Sequence, residues 1–497
     1  MLLPESKSHF SFSYLFAGLI AILLLLVAYI VSGNYFSLDE PNLLWEIKKN
    51  LSSTAFRVKY LQEGRPLDGL FTIALQTLAG TLENLKYLRI LSVGLLFTFC
   101  VQAGRYFLKK GLEPSNVYLI GLMVFCLPGF SVYMCWAECA SLLFSVIVSF
   151  YAGTLAMRAL EKHLNKPPLE TSRHWFYLIA AGLLQLVSLC DYQSLALVFV
   201  VPAFFAILMH PEVPARNKVW FLACFVFTFF VIILAYLKLY AFILDAYHIQ
   251  MVERGTLSLH PLEKILWYKN ILLEASRLHL LLLKPVFLSG IFSLILLILF
   301  IIDVYKKRFS DLIFLFIFCT LVFFPHLLIK DSWGASRNFG LIGFLLIIYI
   351  SIRVRNWLSL RSGLMTGLLT MIFFGILVLN IREGWTRPQE EDYTVLKDFI
   401  KKLPPPGNKD LNIEVRLPEW DMHSKRSVLK SYYDEYNDPV FLRRWAIDPG
   451  IKVLYLERYP EASTGLIEKY FKIKILETSE PFSSSEDSSH FNLNLNY

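Results

Sequence analysis

Of the 497 residues, 56% are hydrophobic and only 18% charged, which excludes an ordinary soluble globular protein and points to a polytopic membrane protein. The formal net charge of +8 is modest and sits in particular loops, so it reports membrane orientation, and no nucleic-acid partner is expected. The seven cysteines fall in or beside apolar runs without a C-x-x-C pair and read as packing residues, with one disulfide among Cys135, Cys139 and Cys190 left open.

Taken in order, the chain first shows an apolar run from Phe12 to Ser32, long enough to cross a hydrocarbon core of about 30 Å. One lysine precedes it and no clean cleavage site follows, so it reads as a retained helix. Ser37-Leu38-Asp39-Glu40-Pro41 then places two adjacent carboxylates at the membrane surface. A carboxylate there can take a proton from a sugar hydroxyl or hold a divalent ion such as Mg or Mn, with Asp39 and Glu40 the ligands. The same residues also fit a helix start, with Ser37 and Glu40 as an S-x-x-E capping box and Asp39 as an N-cap. Both readings stand on the motif alone.

Leu44, Ile47 and Leu51 recur at helical spacing among charged residues, the pattern of a helix lying on the membrane. After Gly64-Arg65-Pro66, the segment 67–82 carries Asp68 and Gln76 and reads as an interfacial helix or a weak span. Further spans are expected near 87–104, 115–134, 138–157, 175–190, 193–209, 219–240, 286–302, 312–329, 338–352 and 363–381. With 67–82 kept out of the bilayer, alternate loops collect the basic residues: Arg105, Lys109 and Lys110; Arg158 to Arg173; Arg216 and Lys218; Lys306 to Arg308; and Arg353, Arg355 and Arg361. The short loops on the other side hold only Lys330 and Arg337, so the positive-inside rule predicts about eleven spans, a cytoplasmic N-terminus and an extracytoplasmic C-terminus. Trp136, Trp175, Trp220, Trp333, Trp357 and Trp385 fall at span ends, where indoles anchor in the interface. Trp136 and Trp333 are also sugar-stacking candidates.

Chemistry-bearing residues then gather outside: Asp39, Glu40, Arg65 and Asp68; Trp136 and Glu138; Asp191, Tyr192 and Gln193; the long loop Ala241 to Pro285; and Lys330, Trp333 and Arg337. Glu138 and Asp191 are acids at span ends and so secondary site candidates, and Tyr192 and Gln193 are placed to bond sugar hydroxyls. Beyond Asn380 the chain becomes charged. A helix over Tyr393 to Lys402, strands at Leu411 to Leu417, Lys452 to Leu456 and Phe471 to Leu476, and a helix over Ala462 to Tyr470 predict a small α/β unit. The expected organisation is an all-α membrane domain over 1–381, with a first outer loop at 33–86, an extracytoplasmic α/β domain over 382–480, and a disordered tail over 481–497.

The acidic pair after the first span, the surface helix, the G-R-P and the many spans with an outer C-terminal domain resemble the GT-C superfamily of membrane glycosyltransferases, especially bacterial glucosyltransferase II-like proteins that modify surface polysaccharide. That family often shows two aspartates where this chain has Asp39-Glu40. The resemblance implies an inverting, inner-membrane enzyme moving a sugar from a polyprenyl-phosphate donor to a glycan or lipid acceptor. Asp39 would be the base, Glu40 its support or a metal ligand, and Arg337, Arg65 and Lys330 the donor-phosphate ligands, arginine offering a planar fork to phosphate oxygens. The substrate groups would be Glu138, Asp191, Tyr192, Gln193, Trp136 and Trp333. Rival readings are an outer-leaflet polysaccharide polymerase or ligase working through Arg254 and Arg277, and a lipid-linked glycan flippase, which the near absence of charge at span centres disfavours.

Overall fold

The computed structural model describes residues 21–22, 24–37, 39–49, 55–160, 172–250, 260–278, 287–329, 336–359, 362–407, 409–417, 444–476 and 490–494. Within the first apolar run, residues 21–22 and 24–31 are helical (α1). Three short helices follow: α2 (Glu40–Lys48), α3 (Ala55–Gln62) and α4 (Pro66–Ala79). The bundle is then built from α5 (Leu85–Lys109), α6 (Pro114–Cys126), α7 (Pro128–Cys135), α8 (Ala140–Leu160), α9 (Ser172–Asp191), α10 (Val201–Met209), α11 (Ala215–Ala246), α12 (Pro261–Ser276), α13 (Phe287–Tyr305), α14 (Phe309–Leu328), α15 (Ser336–Ser359) and α16 (Ser362–Ile381).

Six helices among the described residues are long and apolar enough to cross a membrane, or seven if α6 and α7 form one bent span. These match the runs expected at 87–104, 138–157, 175–190, 219–240, 312–329 and 363–381. The 115–134 run is not straight: it bends by 63° where Pro128, which cannot continue the ladder of α6, begins α7. The runs at 193–209, 286–302 and 338–352 form shorter apolar helices, Leu195–Met209, Gly290–Tyr305 and Phe339–Val354. The first of these opens with a 3-10 turn and is buried almost throughout, so protein rather than lipid surrounds it.

Amphipathicity is reversed relative to a water-soluble bundle. On α9, Trp175, Phe176, Ile179 and Leu183 are exposed, while Gln185 and Ser188 are buried against α8. There the Ser145 and Ser188 hydroxyls lie 2.6 Å apart and Ser149 donates to Gln185 at 3.1 Å. Apolar surface outward and satisfied polar groups inward is the arrangement hydrocarbon demands. The short α4 is likewise apolar outward and polar inward: Leu70, Phe71 and Leu78 face out, while Asp68, Thr72 and Gln76 are buried. It is not among the helices able to cross.

At the opposite end from α2–α4, buried charges tie four helices together. Arg353 of α15 donates to Asp303 of α13 at 2.6 Å and to Asp311 of α14 at 2.8 Å, and Lys218 of α11 lies 3.4 Å from Asp311. Opposite charges removed from water together are tolerated because each is paired.

Helix α16 continues through a π-helical turn, Arg382–Thr386, into α17 (Arg387–Ile400). The C-terminal unit holds β1 (Leu411–Arg416), α18 (Arg444–Arg458), α19 (Thr464–Tyr470), β2 (Phe471–Leu476) and β3 (His490–Asn494). The sheet order is β2-β1-β3, with both pairings parallel and Ile413 opposite Ile473 on one side and Phe491 on the other. Two expectations fail here. Residues 452–456 are not a strand but the end of α18, whose buried Ala446, Ile447, Ile451, Leu454 and Tyr455 recur at helical spacing, and a parallel β1–β2 pair needs such a crossover. The expected disordered tail contributes β3, because the alternation around Phe491 and Leu493 supplies an edge for β1.

This unit does not hang free. Phe36, Leu44 and Trp45 from around α2, Leu82 and Leu85, and Ala446, Ile447 and Ile451 of α18 share one apolar core. Glu468 accepts from the Trp45 indole at 2.9 Å, and Glu457 accepts from the Leu82 backbone at 2.7 Å. Two of the indoles expected in interfacial belts are interior: Trp136 and Trp385 are both buried, 6.5 Å apart. Trp175 and Trp220 are exposed as belt residues should be.

Candidate functional site

The two carboxylates of the Asp39-Glu40 pair have different surroundings. Glu40, at the first turn of α2, is fully buried. Its Oε2 accepts from Ser37 N at 2.7 Å and its Oε1 from Ala137 N, while Arg89 of α5 stands 3.7 Å away. Arg89 is itself fully buried; it donates to the carbonyls of Val31, Gly33 and Tyr35 at 2.9, 3.0 and 3.2 Å and stacks on the Tyr35 ring. The end of α1, the start of α2 and the turn before α8 are thus pinned to one another. Half of the expected capping box forms, Glu40 reaching back to Ser37, whereas the Ser37 hydroxyl instead accepts from the Trp385 indole at 3.2 Å. Both Glu40 oxygens thus accept a backbone N–H. Among the described residues no group of three His, Cys, Asp or Glu side chains is placed to hold a metal ion.

Burial pushes the Glu40 carboxyl up to about 7, outweighing Arg89 and the backbone N–H groups that favour its charge. Burial likewise raises Asp68 to about 6, against Arg65 and its two hydroxyl donors. A raised carboxyl keeps a proton in the folded chain that the unfolded chain releases, so this stability is full below the unfolded value of 4.5 and is lost as pH rises through about 7. The melting temperature is expected to fall across that window and to fall less in Glu40→Gln. A profile equally steep in both proteins would remove Glu40 as its source.

Asp39 is half-buried. It occupies the N-cap position of α2 without a side-chain cap bond, and its Oδ1 accepts from the Trp445 indole of α18 at 3.1 Å. The charges of Asp39, Lys59 and Asp68 act on Glu138, whose Oε1 accepts from the Tyr60 hydroxyl at 3.0 Å and whose Oε2 is buried without a hydrogen-bond partner. Asp68 accepts from Ser141 at 2.9 Å and from Thr72 at 3.0 Å. Asp191, only 1% exposed, lies within electrostatic reach of Asp68 and Arg65, and neither of its buried oxygens has a partner among the described residues. Arg65 pairs with Glu63 at 3.4 Å and Asp68 at 4.0 Å, its guanidinium 4.6 Å above the Tyr192 ring.

Asp39, Arg65, Glu138 and Asp191 are therefore brought to one end of the bundle, with Asp68, Lys59 and Tyr60 between them. Other expected substrate groups have structural work instead. Trp136 is buried and offers no face to a sugar. Tyr192 is buried beneath Arg65, and the Gln193 amide donates to the carbonyls of Gly64 and Glu63, at 2.8 and 3.3 Å, and to Tyr236 at 2.7 Å. Arg277 pairs locally with Glu274 beside α12, a helix not expected within the long loop. Lys330, Trp333, Arg254 and the side chain of Arg337 lie outside the described residues. Cys135, Cys139 and Cys190 are not in disulfides.

Gly64 explains why the G-R-P turn needs its glycine. Its φ is +76°, and an added Cβ would meet the Tyr236 hydroxyl at 2.5 Å and the Gln193 amide at 2.8 Å. Gly64→Ala is expected to cost about 1–3 kcal/mol and to loosen Arg65, measured as a lower melting temperature. An unchanged melting temperature would show that the turn tolerates the side chain.

Reasoning from sequence missed Arg89 and Trp445. An arginine inside an otherwise apolar span was a usable signal for the first; nothing local distinguished the second. Compared with known proteins, the chain matches no family model, no curated protein and no solved structure at a significant level.

Proposed function

We propose that this chain is an integral membrane glycosyltransferase that moves a sugar from a polyprenyl-phosphate donor to a glycan or lipid acceptor on the outer face of a bacterial inner membrane. One observation carries the reading: Asp39 and Asp68 lie within electrostatic reach of Glu138, and Asp68 within reach of Asp191, four carboxylates from four separate segments, beside Lys59 and Arg65 at one end of an apolar bundle. In the reaction, Asp39 takes the proton of the acceptor hydroxyl, whose oxygen bonds the anomeric carbon. The bond from that carbon to the phosphate oxygen breaks on the opposite face, and its electron pair leaves with the polyprenyl phosphate, inverting the centre. Glu138 and Asp191, with buried oxygens that lack partners, suit sugar hydroxyls. Arg65, held by Tyr192, is the cation offered to the phosphate, with Arg337 and Lys330 proposed alongside it.

Orientation follows from loop charge. The six long helices, the bent α6–α7 pair, the three shorter apolar helices and α1 bring the span count to the proposed eleven, with the N-terminus inside and α2–α4 and the C-terminal unit outside. The deciding experiment is transfer of a labelled sugar from a polyprenyl-phosphate donor by the purified full-length protein. Release of label to neither an envelope glycan, a lipid nor water would refute the reading.

A further inference from the structure

We propose that α12 is a lipid-docking helix seated in the outer leaflet of the membrane, one side packed on the bundle and the opposite side against phospholipid acyl chains; the choice of leaflet rests on the orientation proposed above. Three strips run along the helix. Tyr268, Ile271 and Ala275, at i, i+3 and i+7, are buried where it packs on α14 and α15. Leu262, Leu266 and Leu273, on the opposite side, are 75%, 65% and 55% exposed, and Ile265 beside them is exposed as well. Glu263, Asn270 and Glu274 share a third strip between the two. A helix on a water-soluble surface has two faces, one apolar and buried, one polar and exposed. Apolar residues on both sides with a polar edge between them are what a helix lying in a membrane interface requires.

Its depth decides the occupant. Helices α13 and α14, of 19 and 20 residues, are each about as long as a hydrocarbon core of about 30 Å is thick. The Tyr268 hydroxyl donates to Thr320 of α14 at 3.2 Å, and the Trp267 and Tyr268 rings lie 5.4 and 5.5 Å from that of Phe323. Thr320 precedes Leu328, the outer end of α14, by about 12 Å along the helix axis. The Ser276 and Ser293 hydroxyls, 3.0 Å apart, tie the other end of α12 to the second turn of α13. The helix is therefore level with the outer half of its neighbours' apolar length, and its leucines continue the exposed apolar surface that α13 presents through Ile291, Leu294 and Leu297. At that depth a face of leucines meets acyl chains. Lys269 falls on the same exposed face, and its four-carbon stem can lie along the leucines while the ammonium reaches the headgroup phosphates. The seat also bears on the bundle end that carries Asp191 and Gln193, since the Phe323 ring lies 4.9 Å from that of His326, which is 3.1 Å from the Ser194 hydroxyl.

The test places single nitroxide labels on the full-length, otherwise cysteine-free protein in nanodiscs of phosphatidylethanolamine and phosphatidylglycerol. The labelled variants are Leu266→Cys, Leu273→Cys and Asn270→Cys, all at exposed positions where a label leaves the packing intact. Collisions are measured with oxygen, which concentrates among acyl chains, and with a water-soluble nickel chelate. Labels at 266 and 273 are expected to collide with oxygen and to lose almost all collisions with nickel, whereas the label at 270 should meet nickel more often than either. Nickel collisions at 266 and 273 as frequent as at 270 would put the leucine face in water and overturn the proposal. Infrequent collisions with both reagents would overturn it too, because they mark a face covered by another segment of the chain or by a second copy. The leaflet is read separately, by labelling Asn270→Cys in intact spheroplasts with a membrane-impermeant maleimide, which is expected to succeed. Labelling only after the spheroplasts are broken open would refute the outer leaflet and the orientation it rests on, while the collision pattern decides by itself whether the face meets lipid.

Discussion

Asp39→Asn is expected to insert and fold like the native chain and to lose about 10²- to 10⁴-fold in sugar transfer, the usual range for removal of a general base. The geometry makes this substitution clean. Asp39 stands at the N-cap of α2 but makes no side-chain cap bond, so little helix stability depends on it. The hydrogen bond that its side chain accepts from the Trp445 indole can be accepted equally well by the asparagine carbonyl. What asparagine cannot do is take a proton from a hydroxyl. Transfer is measured at matched membrane levels, with melting temperature as the folding control. Wild-type transfer by Asp39→Asn would remove it as the base and leave Glu138 as the next carboxylate to examine.

Arg89→Ala should fail earlier, at folding. It strips donors from three backbone carbonyls and leaves Glu40 buried without its cation. Breaking a buried charge pair in this way costs about 3–5 kcal/mol, comparable with a large part of a domain's net stability. Arg89→Lys is expected to recover little, since a single ammonium cannot span three carbonyls that a planar guanidinium reaches together. The readout is the amount of monodisperse protein recovered from membranes. Recovery at the wild-type level by Arg89→Ala would show that the junction of α1, α2 and α8 is held by packing alone.

The contrast between these variants divides a motif that reads as a unit in the sequence. Adjacent carboxylates looked like partners in chemistry, with Glu40 supporting Asp39 or sharing a cation. Successive residues at the start of a helix point in different directions, however, and one turns into the protein while the other stays half-buried beside α18. Glu40 is held by two backbone N–H groups and Arg89, and a further carboxylate within electrostatic reach of Asp39 is Glu138, nearly a hundred positions away.

By itself the sequence determined a helical membrane protein, because a long apolar run has few stable alternatives in hydrocarbon. It also marked the strands β1 and β2, through local alternation. Those features depend on a residue and its near neighbours. Only the tertiary structure decided that Pro128 bends its helix by 63°, that 444–458 is a helix, and that 490–494 closes the sheet edge. Only it brought Arg89 to Glu40 and Trp445 to Asp39. A short apolar run suits a helix or a strand equally well, and a charged side chain carries no local mark of its distant partner; both are settled by which surfaces pack together once the whole chain has folded.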